Sequence, residues 1–332
     1  MNRALFVRIW VNLSDVSILV NSVLYAVFMT QVPGKSVRAE QSVGFIGLGK
    51  MGLPMALNYL KADIGSLRVT GRSRDRAADA LEAGAVWVAT PRQLADACSI
   101  IIIMVPDMPQ VEELLFGRDA VSSSGSSATV VVCSSVSPIG IREVAERLSV
   151  ATSGRMTIVD APVSGGTEGA IAATLSIMVG GDIDSVQSVF PVLATFGTPV
   201  HLGPLGSGEI AKACNQLIVA ATISAISEAS VIAERSGLDL EALLSLLQGG
   251  YAGSRVLETK KQRIIDGDYT PTGIARYMVK DLGFAAAAAS ATDTATPVLD
   301  VLRASFEGLV SAGLGDLDLA VVHRYIQSLP RD

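Results

Sequence analysis

The feature that most restricts the fold is Gly47-Leu48-Gly49-Lys50-Met51-Gly52, a G-x-G-x-x-G turn. It lies between the apolar run 42–47 (SVGFIG) and a stretch of helical spacing over 50–61. The first glycine permits a tight turn out of a buried strand. The second lets a ligand approach the backbone, and the third lets the helix lie close to the strand. Free amides and the dipole at the helix start then favour an anionic group. In this strand–turn–helix context the pattern predicts a dinucleotide pyrophosphate site, with an ordinary glycine-rich turn as the alternative.

Around the turn, short apolar runs alternate with helical stretches. Residues 67–70 read as a second strand and 74–83 as a second helix. The run 99–105 (SIIIIMV) has the continuous apolar character of a central parallel strand covered on both faces. Further strands are expected at 129–133, 156–159, 175–179 and 199–202. Such alternation predicts a doubly wound α/β sheet. From about Gly206 the character changes. Residues 209–235 are rich in Ala and Ile, contain no proline, and stop before Gly237. Helices are also expected at 239–248, 254–265, 274–292, 297–311 and 318–329, so the second half reads as all-α. A chain of 332 residues exceeds what one core usually holds. The expected division is 43–205 and 206–332, preceded by a poorly ordered extension over 1–42.

Composition excludes several classes of function. The net charge of -6 comes without a basic stripe, which argues against a nucleic-acid partner. Cys98, Cys133 and Cys214 lie scattered in apolar stretches, which suits buried, reduced thiols and a cytoplasmic setting rather than a disulfide framework. The apolar segment 16–29 is short for a membrane span and contains Asn21. Asp15 interrupts the region and no small-residue cleavage site follows, so export is disfavoured and no membrane partner is expected. The plain reading is an extension, or a start assigned too far upstream, with Met29 leaving a short lead into the first strand.

The end of the second strand discriminates between dinucleotides. NAD sites place an acidic residue there for the ribose 2′-hydroxyl. Here Gly71 is followed by Arg72, Ser73 and Arg74. Guanidinium groups match a 2′-phosphate, so NADP(H) is favoured, with NAD(H) kept open. The alternative for the arginines is a solvated helix start.

Hydride chemistry needs a group to move a proton at the substrate oxygen. His201 and His323 lack supporting constellations, and no His/Cys/Asp spacing suits a metal. Lys212 lies in the segment GSGEIAKACNQ (206–216), among small apolar neighbours on an expected helix. Asn215 and Gln216 follow three and four residues later, on the same face. A desolvated lysine near a cationic nicotinamide loses its proton more readily, and so can act as acid or base; a surface lysine is the alternative. Upstream, Ser164, Gly165 and Gly166 offer a hydroxyl and amides to a carboxylate, or simply make a tight turn.

Four segments together carry a resemblance: FIGLGKMGLPMA (45–56), DAPVSGG (160–166), GSGEIAKACNQ (206–216) and Lys280-Asp281-Leu282. In order and spacing they resemble the signatures of the β-hydroxyacid dehydrogenase family, from residue 43 to near the C-terminus. The resemblance implies a Rossmann-type domain joined by a long interdomain helix to an all-α domain, with the active site between. It implies Lys212 as general acid/base, Ser164, Gly165 and Gly166 on the substrate carboxylate, and Lys280 near the nicotinamide. Met104, Val105, Pro106 and Ser135 would line the cofactor site. The family often carries Asn four residues after its lysine; here that place is Gln216 and Asn215 precedes it, so the amide's carrier stays open. Ala173 replaces a glycine common before Thr-Leu-Ser, and Lys212 itself counts against the imine-reducing branch. Residues 215–220 (NQLIVA) and 249–258 (GGYAGSRVLE) most resemble tartronate semialdehyde reductases, ahead of 3-hydroxyisobutyrate dehydrogenases and glyoxylate/succinic semialdehyde reductases. Arg255 either supports the pocket or forms a salt bridge. A non-catalytic dinucleotide-binding module on the same fold is the reading from another class. The apolar helical half predicts a homodimer or homotetramer, and the partner is a small oxo- or hydroxyacid.

Overall fold

The structure is a computed structural model that describes residues 41–330; the extension expected over 1–42 falls almost wholly outside them. Six parallel strands form the heart of the sheet: β1 (Gln41–Ile46), β2 (Gly65–Thr70), β3 (Val86–Trp87), β4 (Ile100–Ile103), β5 (Ala128–Val132) and β6 (Met156–Asp160). Their order is β3-β2-β1-β4-β5-β6. The chain therefore reverses direction across the sheet between β1 and β4, where such folds open a crevice beyond the carboxyl ends of the strands. Beyond β6 the sheet becomes mixed. β8 (Leu175–Gly180) runs antiparallel to β6 and to the short β7 (Val163–Ser164), and β9 (Gly197–Gly203) pairs parallel with β8.

The isoleucine run explains the layering. Side chains alternate across a strand, so Ile100 and Ile102 enter one hydrophobic core while Ile101 and Ile103 enter the other. Helix α1 (Gly52–Ala62) covers the first face through Met55, Ala56 and Tyr59. Helices α3 (Pro91–Ala97), α4 (Met108–Phe116) and α5 (Pro138–Ala151) cover the second. Each of these three has a proline among its first two residues after a capping residue, and Thr90, Asp107 and Ser137 accept an amide hydrogen bond from the first turn. That is the local signal that starts a helix abruptly after a strand. Short helices α2 (Ala78–Glu82) and α6 (Gly166–Ala172), with α7 (Ile183–Leu193), complete the layers.

Helix α8 (Ser207–Arg235) joins the two architectures. With 29 residues it is long enough, and on average apolar enough, to cross a membrane. Instead its first turns pack on β6, β8 and β9, and the remainder forms the axis of the helical part. Around it stand α9 (Leu240–Gln248), α10 (Arg255–Asp266), α11 (Tyr277–Ala291), α12 (Pro297–Ser311) and α13 (Val322–Ser328). A Rossmann-type sheet followed by an all-α part, joined by a long helix, is the architecture expected.

Two helix starts differ from expectation for one reason. The stretch 274–292 becomes helical only at Tyr277, because Ile274 bridges to Asp318. Asp318 in turn caps the short Leu319–Val321 turn instead of entering a helix. Its fully buried carboxylate accepts from Lys260 Nζ at 2.9 and 3.0 Å, from the Thr272 hydroxyl at 2.6 Å, and from the amides of Thr272, Gly273 and Ala320. Cys214, expected to be buried, is exposed on α8.

Burial alone would raise the Asp318 pKa, but the Thr272 hydroxyl, the amides of Ala320 and Gly273 and the Lys260 ammonium outweigh it and hold it at about 2. A carboxylate depressed in the folded state stabilises the fold above its unfolded pKa and loses that contribution as pH falls toward 2. Asp318→Asn should therefore cost about 2 kcal/mol at neutral pH. Urea unfolding from pH 7 to 2.5 should show the gap between the two proteins narrowing below pH ~4. A gap that stays constant with pH would remove this role from Asp318.

Candidate active site

The glycine turn sits at the carboxyl end of β1, beside the point of reversal. A Cβ on Gly47 would collide with the Met104 carbonyl, and one on Gly52 with the Gly47 carbonyl and the Phe45 ring. Gly49 has nothing within 4 Å of its would-be Cβ. The turn is thus packed on its inner side and open at its middle glycine, the shape a pyrophosphate requires. Met51 caps α1 without a side-chain hydrogen bond, and no acidic residue occupies the first turn, so nothing there competes with an anion. Lys50 reaches away from the turn, and its Nζ donates to the Pro271 carbonyl at 2.6 Å.

Arg72 and Arg74 are exposed just after β2, with Ser73 half-buried between them. Neither arginine has a hydrogen bond or ion pair among the described residues. Met104 and Val105 are half-buried and Pro106 exposed after β4, and the Val105 amide donates to the buried Ser134 hydroxyl at 2.9 Å. Ser135 follows β5, so the loops after β1, β4 and β5 lie side by side.

The other predicted residues meet where α8 starts. Lys212 is 9% exposed, and its Nζ donates to the Val163 carbonyl at 2.9 Å, directly before Ser164. Burial pushes the Lys212 pKa down; Asp281 and Glu209 act to raise it, and Lys280 acts with burial to lower it. Ser164 Oγ donates to Asn215 Oδ1 at 3.4 Å, and Asn215 Nδ2 donates to Gln216 Oε1 at 2.9 Å. Gln216 Nε2 donates to Asp281 Oδ2 at 2.7 Å, and Lys280 Nζ donates to the other oxygen of the same carboxylate at 3.0 Å. Lys280 also donates to the Ser135 carbonyl at 2.7 Å and lies 5.5 Å from the Phe284 ring centroid. The amide ambiguity takes a geometric form here: Asn215 faces Ser164, while Gln216 is tied to Asp281. Gly165 and Gly166 stay exposed at the start of α6.

Arg255 is outside this network; it is exposed and pairs with Glu258 at 2.6 Å. His201 Nε2 donates to the Gly181 and Gly203 carbonyls, as a strand residue. Sequence reasoning assigned no role to Glu209, Asp281 or Asp160, although all three lie inside the quoted segments. Glu209 and Asp160 are buried acids flanking a glycine-rich helix start, and acidic residues in an otherwise apolar, Ala-rich segment were the available signal.

Comparison with known proteins fits this geometry. Residues 42–206 match the family described as the NAD binding domain of 6-phosphogluconate dehydrogenase. Residues 206–326 match the NAD-binding region of NADP-dependent 3-hydroxyisobutyrate dehydrogenase. The chain is 40% identical over 280 residues to 2-hydroxy-3-oxopropionate reductase of Escherichia coli (strain K12), spanning 83% of this chain and 94% of that protein. The chain belongs to the β-hydroxyacid dehydrogenase family. Like other members it is an NAD(P)-dependent oxidoreductase. A 3-hydroxyisobutyrate dehydrogenase from Pseudomonas aeruginosa is 32% identical, over 80% of this chain and 90% of that one. The crystal structure of 3-hydroxyisobutyrate dehydrogenase from Salmonella typhimurium superposes with a TM-score of 0.78 at 29% identity, covering 86% of this chain and 99% of that chain.

The packing around the turn separates two glycines of this β-hydroxyacid dehydrogenase. Gly52→Ala forces backbone displacement and should lower stability by about 2 kcal/mol or more. Gly49→Ala meets open space and should leave the thermal midpoint of the ligand-free protein within about 2 °C. Calorimetry of both variants decides it; equal destabilisation would contradict the packing described.

Proposed function

We propose that this chain reduces a small oxo-acid semialdehyde, of the tartronate semialdehyde type, to the corresponding hydroxyacid, and that it prefers NADP(H) to NAD(H). The observation that carries the reading is the placement of Lys212. It is buried, hydrogen-bonded beside the Ser164 loop, and one network away from Lys280 and the loops after β1, β4 and β5.

The residues that would hold the dinucleotide are the turn Gly47, Leu48, Gly49, Lys50, Met51 and Gly52 for its phosphates, with Met104, Val105, Pro106, Ser135 and Lys280 toward the nicotinamide. A bound nicotinamide dinucleotide supplies the hydride. The amides of Gly165 and Gly166 donate to the substrate carboxylate, and the Ser164 hydroxyl joins them by turning its proton from Asn215 Oδ1 to the carboxylate. Lys212 gives its proton to the substrate oxygen in reduction and takes it back in oxidation. Desolvation of Lys212 suits both directions, because it brings the ammonium nearer to losing its proton at neutral pH. Gln216 and Lys280, sharing the Asp281 carboxylate, keep the two walls of the cleft in register.

The NADP preference rests on Arg72 and Arg74, exposed and without a partner among the described residues, where an acidic residue would otherwise receive a ribose hydroxyl. The 40% identity to 2-hydroxy-3-oxopropionate reductase supports the substrate class. The free thiols suit a reducing cytoplasm. Exposed Ile218, Ile232, Leu246 and Tyr251 give the helical part apolar surface that suits a homodimer or homotetramer.

A spectrophotometric panel of tartronate semialdehyde, methylmalonate semialdehyde, succinic semialdehyde and glyoxylate, run with NADPH and NADH, tests this. The highest kcat/KM should fall on tartronate semialdehyde with NADPH. Replacing Arg72 and Arg74 together by Ala should raise the KM for NADPH about tenfold or more and leave that for NADH little changed. Higher kcat/KM with NADH in the unaltered chain would overturn the cofactor preference, and turnover confined to another member of the panel would overturn the substrate.

A further inference from the structure

The side chains from Lys280 to Ser164 form one hydrogen-bonded chain along the cleft, and its direction is fixed at one end. Lys280 Nζ donates to Asp281 Oδ1 at 3.0 Å, and Gln216 Nε2 donates to Asp281 Oδ2 at 2.7 Å. A carboxylate only accepts, so the Gln216 amide has to turn its nitrogen toward Asp281. The Met278 thioether, an acceptor 3.7 Å from the same nitrogen, agrees with that sense. Gln216 Oε1 then faces Asn215 and accepts from its Nδ2 at 2.9 Å. Asn215 is left with Oδ1 outward, where it accepts from the Ser164 hydroxyl at 3.4 Å. Neither amide turns over without setting donor against donor or acceptor against acceptor. Asp281 is buried, whereas Asn215 and Ser164 are half-buried at the open end of the chain.

We infer that Asp281 is a positioning residue that makes Asn215 Oδ1 the acceptor for a hydroxyl on C2 of the substrate, so that the site selects a 2-hydroxy-3-oxo acid over one carrying methyl or hydrogen there. The inference rests on the proposed function and names, within it, the group that reads C2.

Proton accounting leads to this assignment. Ser164 has one hydroxyl proton. When that proton turns to the substrate carboxylate, Asn215 Oδ1 loses its donor, yet Gln216 and Asp281 still hold it facing the cleft. In the proposed pose the carboxylate lies at the Ser164 loop and the aldehyde oxygen at Lys212, whose Nζ sits on the Val163 carbonyl directly before Ser164. C2 is the carbon between those two groups. Asn215 follows Lys212 by three positions on α8, on the same face, which puts its oxygen beside C2. A hydroxyl there donates to Oδ1 and restores the lost bond. A methyl group leaves the acceptor unpaired and excludes the water that would otherwise serve it. The Ser164–Asn215 contact is the longest link in the chain, and so the one given up most readily.

Asp281→Asn inverts the chain. Lys280 still only donates, so the new amide turns its oxygen to Lys280 and its nitrogen to Gln216. Gln216 and then Asn215 turn over in sequence, and Asn215 Nδ2 comes to face Ser164. Ser164 then accepts from Asn215 while giving its proton to the carboxylate, and nothing on C2 is required.

The test is binding of hydroxyacids to the full chain saturated with NADPH or NADH, whichever it holds more tightly, a pairing in which no hydride can pass. Glycerate, 3-hydroxyisobutyrate and 3-hydroxypropionate carry hydroxyl, methyl and hydrogen at C2 and share every other group. Calorimetric titration of the unaltered chain should give a Kd for glycerate about tenfold or more below those of the other two. In Asp281→Asn, and in Gln216→Met, which leaves the Lys280–Asp281 pair intact, the three values should fall within about threefold of one another. A purely structural role would weaken all three alike and leave their ratio unchanged. Melting curves check that the variants fold; if Asp281→Asn does not, Gln216→Met decides. An unaltered chain without the preference, or variants that keep it, overturns the inference. Preference that persists in the variants leaves the proposed function standing, whereas turnover confined to another semialdehyde removes that function as well.

Discussion

The capping of α8 by Asp160 is the interaction on which the rest depends. Asp160 is the last residue of β6 and fully buried. Its two oxygens accept the amides of Gly206 and Glu209, both at 2.8 Å, at the start of the long helix. Gly208 completes the contact, because a Cβ there would strike the Met178 carbonyl and the Asp160 carboxylate. A carboxylate at a helix N-terminus is favourable both as a cap and against the dipole. Burial nevertheless pushes its pKa up against those amides. The sheet thereby sets where α8 begins, and residues 209, 212, 215 and 216 take their positions from that start.

From that anchor the site is assembled by electrostatics rather than by shape alone. Burial pushes the Lys212 pKa down, while Asp281 and Glu209 counter that effect. Asp281 holds Gln216 on one oxygen and Lys280 on the other. Lys280 then reaches back across to the Ser135 carbonyl of the sheet. The Asp281 carboxylate is thus satisfied on both oxygens, which is what keeps a buried charge tolerable there. The Lys50–Pro271 contact and the Asp318 cluster under the neighbouring loop tie the glycine turn to the helical part by a second route.

Elements governed by local patterns are legible in the sequence. The alternating burial of Ile100 through Ile103, the glycine turn, and the proline-free run that becomes α8 depend on residues near each other in the chain. What escaped was long-range. The start of α11 is displaced because Ile274 bridges to Asp318, forty-four positions away. β8 runs antiparallel because the chain reverses after β7, through α6, and returns between β6 and β7. At the candidate site, motifs single out Lys212, the Ser164 loop and Lys280. Glu209 and Asp281 were not assigned roles, because a buried acid's value comes from partners on other elements, Val136 and Gln216 here. Cys214 was expected inside by residue type and lies outside by helical phase.

The central claim is that Lys212 moves the proton that accompanies hydride transfer. Single-turnover oxidation of bound NADPH by tartronate semialdehyde, followed by stopped-flow fluorescence, isolates that step from binding and release. In Lys212→Met the side chain keeps its length and loses its proton. The account predicts hydride transfer slowed about 10²- to 10⁴-fold, with NADPH affinity within about threefold of the unaltered chain. Hydride transfer at an undiminished rate in that variant would contradict it.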